Sequence, residues 1–479
     1  RNGVEDVEVV EPLFNYTVAR VQKNWKGNTL LGGMVTSVNR ALDQPYLEDF
    51  MVRNAFTAGI DFTQYFKNRL YYIDVKGMLS SLHGSAGAIT ALQNSVAHYY
   101  QRASSADYLG VDPTRRSLTG TGGYVKVGRK GNAKWNFSET FTWSSPGFDL
   151  NDMGYMKETD YLMNETEIMY RQTDIWKIFR YNAFTLSQKN MWNYGGTPFS
   201  NNASLRWQSM TMNRYEWDVK ETFAWNWLDS RLLRGGPDVR FGSYFLTSAK
   251  FNTDKAKRMM FMLKYEGDHN FEGNRFNTIS PSLTFRLGNH VYLSGQLDYA
   301  WNTDEMQYVA TTSPLSSSSL APYYYVMGHM DQKTYGLTLK LQVNVTPDIS
   351  IQFYGAPFTS IAKYDDFKLA ADTKSHTFEN RFQRIDPDQL TYADGVYSIG
   401  EGAGQMPFRN PDFRFNEFRS NLVARWEYLP GSTLYFVWEH RMSNRDNWYS
   451  SGWGSNLDRM WGLPATNTFM IKMNYWFNL

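Results

Sequence analysis

Apolar and polar residues alternate along much of this chain. From Phe469 to Leu479 every second residue is apolar, and the residues between them are mostly polar. A period of two places the two sets on opposite faces of a β-strand. The same alternation recurs in residues 56–63, 71–80, 291–302, 335–345 and 422–428. The pattern predicts an all-β chain.

One such segment fits the last strand of a soluble sandwich as well as the closing strand of a membrane barrel. Strands of soluble sheets average about five or six residues, whereas these segments run to roughly 10 to 15, which suffices to cross a bilayer at a tilt. Their apolar faces often carry Tyr or Trp near an end, as aromatic girdles require. We therefore predict one domain over residues 1–479, a large antiparallel up-and-down transmembrane β-barrel of roughly 18–22 strands.

The connections fall into two classes that alternate, as an up-and-down meander demands. Short polar turns are predicted at 24–28, 66–69, 129–134, 286–290, 345–348 and 429–433. Long connections are predicted at 40–52, 85–116, 146–156, 306–323, 361–411 and 446–464, with a short helix over 85–100.

The longest connection, 361–411, combines charges with aromatic residues, and loops of that length are usually functional or folded. We interpret it as an extracellular loop that folds into the lumen, caps the barrel or binds a partner. Its aromatic residues are Tyr364, Phe367, Phe378, Phe382, Tyr392 and Tyr397.

The first and last predicted strands run in the same direction, because the first ends at a short turn and the last follows a long connection. We count roughly 19 strands, whereas a closed bacterial single-chain barrel normally has an even number. We expect that the N-terminal part is missing and that at least one upstream strand lies between them. A cleaved chain and a partial sequence both fit.

Composition supports a barrel with a wet interior. The 479 residues are 16% aromatic, yet the mean hydropathy is −0.52. The net charge of +2 gives no nucleic-acid footprint. The chain has no cysteine, which excludes disulfides and thiolate metal sites. It also has no apolar run of about 18 residues, which a transmembrane helix needs.

Mixed charges recur on the polar side of the predicted strands. They favour a hydrated interior with cross-strand pairing over a strongly ion-selective pore. We predict that the lumen-facing residues include Asp61, Asp74, Lys76, Gln296, Asp298, Lys340, Arg425 and Glu427. Residues Ile60, Leu297, Leu339 and Leu341 are predicted to face lipid.

Glu139 is an exception to the alternation. It shares a face with Trp135, Phe137, Phe141 and Trp143, which should contact lipid. A carboxylate there carries a cost that depends on depth. A bulge, a partner subunit on that side and an interfacial position each account for it.

No catalytic motif stands out, and we expect neither an enzyme nor a cofactor. The seven histidines form no H-E-x-x-H pair, and the Ser-rich residues 313–325 contain no G-x-S-x-G elbow. The glycines of 120–124 are interpreted as a strand bend or a close packing site. Weak calcium candidates are Asp386, Asp388 and Asp394, for which a solvated loop is the preferred interpretation.

Residues 15–40, 56–81 and 152–161 resemble a barrel domain of unknown function from Bacteroidota outer-membrane proteins. That domain usually follows a family-9-like carbohydrate-binding module. The resemblance implies further barrel strands before residue 15 and a bacterial outer-membrane location. In such barrels the terminal strand with a final apolar residue is an assembly signal, and Leu479 stands where Phe is commoner.

Two functions remain open from the sequence. The first is a channel or gated pore for a nutrient, with a glycan-derived nutrient implied by the module that the family usually carries. The second is a scaffold or accessory subunit of a secretion, lipoprotein-export or barrel-assembly complex. The predicted partners are outer-membrane lipids and, for the second function, other outer-membrane proteins or surface lipoproteins, with no nucleic acid.

Overall fold

A computed structural model of the chain describes residues 9, 11–102, 107–288, 290–315, 323–447 and 453–477. Its main feature is a 20-stranded antiparallel sheet. Two small sheets, of two and three strands, lie in the connections.

The first half of the sheet contains ten strands of 10–14 residues each. They are β1 Leu13–Trp25, β2 Thr29–Ala41, β3 Asn54–Phe66, β4 Tyr71–His83, β5 Ser117–Arg129, β6 Trp135–Ser144, β7 Tyr161–Gln172, β8 Phe179–Trp192, β9 Pro198–Thr211 and β10 Glu216–Trp225.

The second half contains longer strands and the small sheets. Its strands are β11 Trp227–Asp229, β12 Val239–Phe241, β13 Tyr244–Asn252, β14 Met259–Asn270, β15 Arg275–Leu287, β16 Val291–Thr312, β17 Tyr324–Asn344, β18 Ile349–Ala370, β19 Phe382–Arg384, β20 Leu390–Ala393, β21 Val396–Ile399, β22 Met406–Arg409, β23 Phe413–Leu429, β24 Ser432–Asp446 and β25 Thr466–Asn474.

Three helices lie in the connections: α1 Pro45–Glu48, α2 Ala86–Gln93 and α3 Trp453–Trp461. Helix α2 begins after Ser85, whose hydroxyl accepts a hydrogen bond from the backbone N–H of Ala88, as an N-cap does. The predicted helix over 85–100 is therefore present but ends at Gln93. Within the described ranges, none of the helices is long and apolar enough to span a membrane.

The strands of the large sheet pair in chain order, with β10 next to β13 and β18 next to β23. Strand β19 adds three residues to the upper part of β18. The remaining nineteen strands form an up-and-down meander, so the predicted fold class of a large antiparallel transmembrane β-barrel is confirmed.

Short turns close one end of the barrel, for example at Lys26–Gly27, where both residues have positive φ. A two-residue turn of this kind matches the twist of the flanking strands. We call this the short-turn end. The opposite, long-loop end carries the connections 42–53, 84–116, 145–160, 226–243, 313–323, 371–412 and 447–465.

Strands β16, β17 and β18 are 22, 21 and 22 residues long, beyond the predicted 10 to 15. Register shifts at Asp304/Gln307 and Met327/His329 mark where they continue past their neighbours, since bulges bend and twist a strand. Two predicted boundaries are therefore wrong. Residues 306–312 belong to β16, and residues 361–370 belong to β18, so the long loop begins at residue 371.

The outermost strands of the meander, β1 and β25, both run toward the short-turn end. Across the described residues, β1 pairs with β2 alone and β25 with β24 alone. All thirteen residues of β1 and all nine of β25 are exposed. The further strands expected between these edges stay a prediction, and residues 478 and 479 of the terminal pattern lie outside the described residues.

Candidate functional site

The strand register places all eight predicted lumen-facing residues on one face of the sheet, which we call the polar face. Asp61 pairs with Lys76, and Lys76 pairs with Tyr124 on the next strand. The same face continues through successive pairs to Asp298, Lys340 and Arg425. Ile60, Leu297, Leu339 and Leu341 lie on the opposite, apolar face, and the Ile60 side chain is 64% exposed.

Hydrogen bonds cross between strands on the polar face. Asp74 accepts from Thr63 Oγ1 and Tyr124 OH, both at 3.1 Å. Asp298 accepts from Ser280 Oγ at 2.6 Å and Gln296 Nε2 at 2.9 Å. Arg425 pairs with Glu427 in the same strand. Neutral donors therefore bridge neighbouring strands at Asp74 and Asp298, while pairing between opposite charges across strands and a water-filled lumen stay predictions for these residues.

A cavity of about 830 Å³ opens at the long-loop end. Four connections meet around it, namely 42–53, 84–116, 145–160 and 226–243. Its lining combines aromatic with charged side chains: Arg40, Phe50, Tyr99, Asp152, Tyr155 and Arg231. We call it the mouth cavity.

A second cavity, of about 450 Å³, lies against the polar face of β1–β4. Asp61, Asp74 and Lys76 line one side of it. Leu150, Met153 and Gly154 line the other. We call it the wall cavity.

Residues 149–157 separate the two cavities, and we call them the partition segment. Asp149, Asn151, Asp152, Tyr155, Met156 and Lys157 line the mouth cavity. The residues between them, Leu150, Met153 and Gly154, line the wall cavity. A connection between β6 and β7 therefore lies against the polar face of strands β1–β4, which requires that this face is the concave one.

The first anchor of the partition segment is a buried pair of His98 and Asp149. Nε2 of His98 lies 2.9 Å from Asp149 Oδ2, and Nδ1 lies 2.9 Å from the carbonyl oxygen of Pro146. Because a carbonyl and an ionised carboxylate only accept, both contacts are hydrogen bonds when both ring nitrogens carry protons. The backbone N–H of Asp149 also donates to Ser80 Oγ at 2.9 Å.

The second anchor is Asp160, three residues after the segment. Oδ2 of this carboxylate accepts from Arg102 Nη2 and from Tyr108 OH, both at 2.6 Å. Oδ1 accepts from the backbone N–H of Tyr194 at 3.0 Å. Burial and the bond to Asp160 raise the pKa of Tyr108, so this phenol stays a donor.

Between these anchors the partition segment is largely exposed. Arg40 Nη2 donates to Asp152 Oδ1 at 2.6 Å, and Arg231 donates to the carbonyl oxygen of Lys157. Arg40 belongs to β2 and Arg231 to the connection 226–243. The segment is thus fixed at both ends by buried groups and bridged in the middle by partly buried ones.

The glycines of 120–124 fit the start of this loop closely. A Cβ on Gly120 would lie 2.1 Å from the backbone nitrogen of Phe148, and one on Gly122 would lie 2.4 Å from its ring. A side chain at either position would displace the loop. The interpretation of these glycines as a close packing site is confirmed.

The connection 371–412, which we call the cap, lies on the extended ends of β16–β18. An apolar cluster joins the two: Val326, Met330, Ala362, Tyr364, Phe367, Ile399 and Phe408. Tyr364 and Phe367 were predicted as loop residues, but they belong to β18. The predicted cap aromatics Phe378 and Phe382 pack edge to face, with ring centroids 5.1 Å apart, and Tyr392 and Tyr397 pack at a tilt, with centroids 4.5 Å apart.

A buried arginine ties the cap to two neighbouring connections. Nε of Arg381 donates to the carbonyl oxygen of Ser375 at 2.8 Å. Nη1 donates to the carbonyl oxygen of Arg240 at 2.8 Å and to Glu272 Oε2 at 2.9 Å. Such buried charges are tolerated because they are paired and fully hydrogen-bonded.

The three weak calcium candidates take local roles in the cap. Asp386 accepts from the backbone N–H of Asp388 at 3.1 Å, and Asp394 and Gly395 form the positive-φ turn between β20 and β21. Among the described residues, no group of three or more His, Cys, Asp or Glu side chains could hold a metal ion.

The model of one protein family, described as a domain of unknown function (DUF5916), matches residues 1–479. The chain belongs to this family. The comparison with curated proteins gave no match. The predicted resemblance to a barrel domain of unknown function is thereby supported at the level of the family, while the Bacteroidota origin and the neighbouring carbohydrate-binding module stay predictions.

Two solved structures are similar to this DUF5916 chain. The siderophore receptor PirA from Acinetobacter baumannii is 9% identical, with a TM-score of 0.37 and 88% of this chain and 70% of the receptor covered. A mutant of the ferric enterobactin receptor PfeA from Pseudomonas aeruginosa is 9% identical, with a TM-score of 0.41 and 93% and 72% covered.

Sequence reasoning missed the partition segment as a site. The sequence predicted a long connection at residues 146–156, but it did not indicate against which part of the barrel that connection packs. One signal was present, because the stretch 152–161 carries part of the family resemblance although it is not a barrel strand in alternation. The connection 226–243, which contributes Arg231 to the mouth cavity, was not predicted.

Proposed function

We propose that this protein is an outer-membrane channel for hydrophilic nutrients and that the partition segment is its gate. The observation that carries the proposal is the position of residues 149–157 between the mouth cavity and the wall cavity. A solute that passes from the long-loop end toward the polar face of β1–β4 meets this segment first. The long-loop end then faces outward, as in bacterial barrels.

The gate needs firm ends and a weaker middle. The anchors at His98–Asp149 and Arg102–Asp160 are buried, so water does not compete for them. The contact of Arg40 with Asp152 is less buried than the second anchor, with side chains 12% and 18% exposed against 9% and 1% for Arg102 and Asp160. The pair of Arg231 with Glu158 is 34% and 44% exposed, and exposed or partly exposed pairs are worth little. A ligand in the mouth cavity that pairs with Arg40 or Arg231 would release the middle while the anchors hold.

The mouth cavity suits a polar ligand with apolar faces. Phe50, Tyr99 and Tyr155 offer aromatic surfaces, and Arg40, Asp152 and Arg231 offer charged hydrogen-bonding groups. Sites that combine a few placed polar groups with aromatic walls bind small molecules. A glycan-derived nutrient has this chemistry, and we propose that such nutrients are the substrate class.

The test replaces residues 150–157, which lie between the two anchors, by Gly and Ser without a change in length. Single-channel conductance in planar bilayers and liposome swelling with sugars of increasing size are the measurements. We expect a larger conductance and faster sugar entry, because the partition no longer covers the wall cavity. Unchanged values for both would contradict the proposal.

The matched control replaces residues 387–396 of the cap in the same way. None of these residues lines either cavity, so conductance should stay at the wild-type value. Circular dichroism and heat-modifiable migration on gels establish that both variants retain the barrel.

A further inference from the structure

A contiguous group of six polar residues interrupts the apolar face on strands β6–β9. They are Glu139, Asn164, Thr166, Gln188, Asn190 and Asn201, which we call the outer polar patch. Register makes the patch continuous: Glu139 pairs with Thr166, which pairs with Gln188. The next row joins Asn164, Asn190 and Asn201.

Glu139 lies at the middle of the apolar face. Glu139 is four positions from both Trp135 and Trp143 in β6, about 13 Å along the strand in each direction. The aromatic row at Trp135 continues through Tyr170, Phe184 and Trp207. An interfacial position therefore does not explain Glu139.

A bulge does not explain it either. The pairing of β6 with β5 and with β7 is continuous from end to end. Glu139 thus points away from the polar face with its neighbours Phe137 and Phe141, both of which are exposed. Of the three explanations open from the sequence, a partner subunit remains.

Only some polar groups of the patch have hydrogen-bond partners within the chain. Asn164 Nδ2 donates to Glu139 Oε1, and Thr166 Oγ1 donates to Oε2 at 2.6 Å. In the part of the chain that the structure describes, the carboxamides of Gln188, Asn190 and Asn201 have no hydrogen-bond partner. Lipid tails offer none, so an unpaired polar group is costly in the hydrocarbon region, above all at Gln188, which shares the row of Glu139.

We propose that the outer polar patch binds the same patch on a second copy of this chain. A carboxamide donates and accepts, so a surface of carboxamides is complementary to itself. Glu139 is already engaged by two donors, and the patch therefore does not call for a cationic partner. A second copy also carries the patch at the same depth and in the same orientation in the membrane.

A two-fold axis parallel to the membrane normal relates the two copies in such a contact. It places β6 of one copy opposite β9 of the other, so the acceptor side of the patch at Glu139 faces the side that carries Asn201. This is an isologous interface, the commonest kind in homo-oligomers. It rests on the membrane-barrel fold and is independent of the proposed transport.

The experiment uses the absence of cysteine from the sequence. Gln188→Cys is introduced into the full chain, and oxidised membranes are separated on non-reducing gels. We expect a disulfide-linked species of twice the monomer mass. The matched control is Leu293→Cys, an exposed residue of the apolar face on β16, which should stay monomeric.

A second variant combines Gln188→Leu, Asn190→Leu and Asn201→Leu. Leucine suits a lipid-facing strand, so the barrel should fold, and native mass spectrometry should show a twofold drop in the mass of the complex. Asn277→Leu, at a polar position of the apolar face outside the patch, should leave the mass unchanged.

Three results would overturn the proposal: a monomeric wild-type protein in membranes, equal cross-linking at both cysteine positions, or cross-linking of Gln188→Cys to a different protein only. Conductance per barrel should be the same for the leucine variant and the wild type. A failure of the gate and a failure of the interface are therefore distinguishable.

Discussion

The cap and the partition segment lie at the same end of the barrel, but different interactions hold them. The cap has its own three-stranded sheet and an apolar cluster shared with β16–β18. The partition segment has neither, and it depends on the buried pairs of Asp149 and Asp160 at its ends.

The cap is therefore a small folded unit, whereas the partition segment is a loop that is held mainly at its two ends. Burial of apolar surface stabilises the cap in a non-directional way, and small shifts keep most of its contacts. The partition segment has few apolar contacts and exposed backbone, which are the features of segments that open locally at low free energy. The longer strands β16–β18 thus support the element with a packed core, and the shorter β6 and β7 carry the one that we expect to move.

The largest expected effect is on the cap. Arg381→Met removes the guanidinium that joins Ser375, Arg240 and Glu272, and it leaves the Glu272 carboxylate without this partner. Breaking a buried charged pair costs about 3–5 kcal/mol. Hydrogen exchange of residues 371–412 should rise accordingly, with the barrel strands unaffected.

The control for the cap is Arg384→Met. Arg384 pairs with Asp366, but its side chain is 51% exposed, so the pair should contribute little. Equal loss of protection in both variants would show that the buried network does not hold the cap.

A smaller effect is expected at the second anchor of the partition segment. Asp160→Asn keeps the shape of the side chain and removes the charge that Arg102 and Tyr108 contact. Hydrogen bonds to charged groups are worth about 1.5–3 kcal/mol. Exchange in residues 149–157 should speed up, while the cap should keep its protection.

Asp174→Asn is the matched control at the short-turn end. Its pair with Lys134 is exposed on both sides, at 75% and 63%. If Asp160→Asn loosened the cap as much as the partition segment, the two elements would be one cooperative unit and the comparison would fail.

The N-cap of α2 gives a still smaller effect. Ser85 Oγ accepts from Ala88 and donates to the carbonyl oxygen of Glu48 at 2.6 Å. Ser85→Ala should cost about 1 kcal/mol in local stability, seen as faster exchange in 86–93. Ser85→Thr keeps both bonds and should restore protection; if it did not, the role of the cap bonds would be refuted.

The alternation of apolar and polar residues was sufficient to predict the barrel, because every strand repeats this alternation. Asp61, Asp298 and Arg425 could be assigned to one face since alternation depends on neighbours alone. Contacts between distant connections follow no such rule. Nothing near Arg40 indicates Asp152, and nothing near His98 indicates Asp149, because these pairs form only when the sheet curves.

The boundaries at residues 361 and 306 were wrong for a related reason. Alternation in β16 and β18 is interrupted by bulges and by residues such as Ala362 and Met306 that face the cap cluster and the neighbouring buried cluster. A strand that leaves the bilayer and enters a packed body loses its lipid-facing pattern. Glu139, in contrast, stood out from the sequence, since there the pattern itself was broken.

The smallest effect concerns pH and the loop that holds the first anchor. Burial raises the pKa of Tyr100 to about 12 from its ordinary value of 10.0, and the residue packs with Ile89 and Leu118 under α2. The folded state therefore keeps the phenol proton where the unfolded state loses it. By linkage, this contribution to stability is complete below pH 10 and is lost as pH rises toward about 12.

Tyr100→Phe removes the ionisable group and keeps the ring. The stability of residues 86–118 in this variant should therefore fall less over this pH range than in the wild type. Protease sensitivity of the loop across the same pH range measures the difference, and Tyr392→Phe, at a position 54% exposed, should behave as the wild type. Parallel curves for wild type and Tyr100→Phe would mean that the phenol ionises without opening the loop. The loop that carries His98 of the first anchor would then be more stable than we expect.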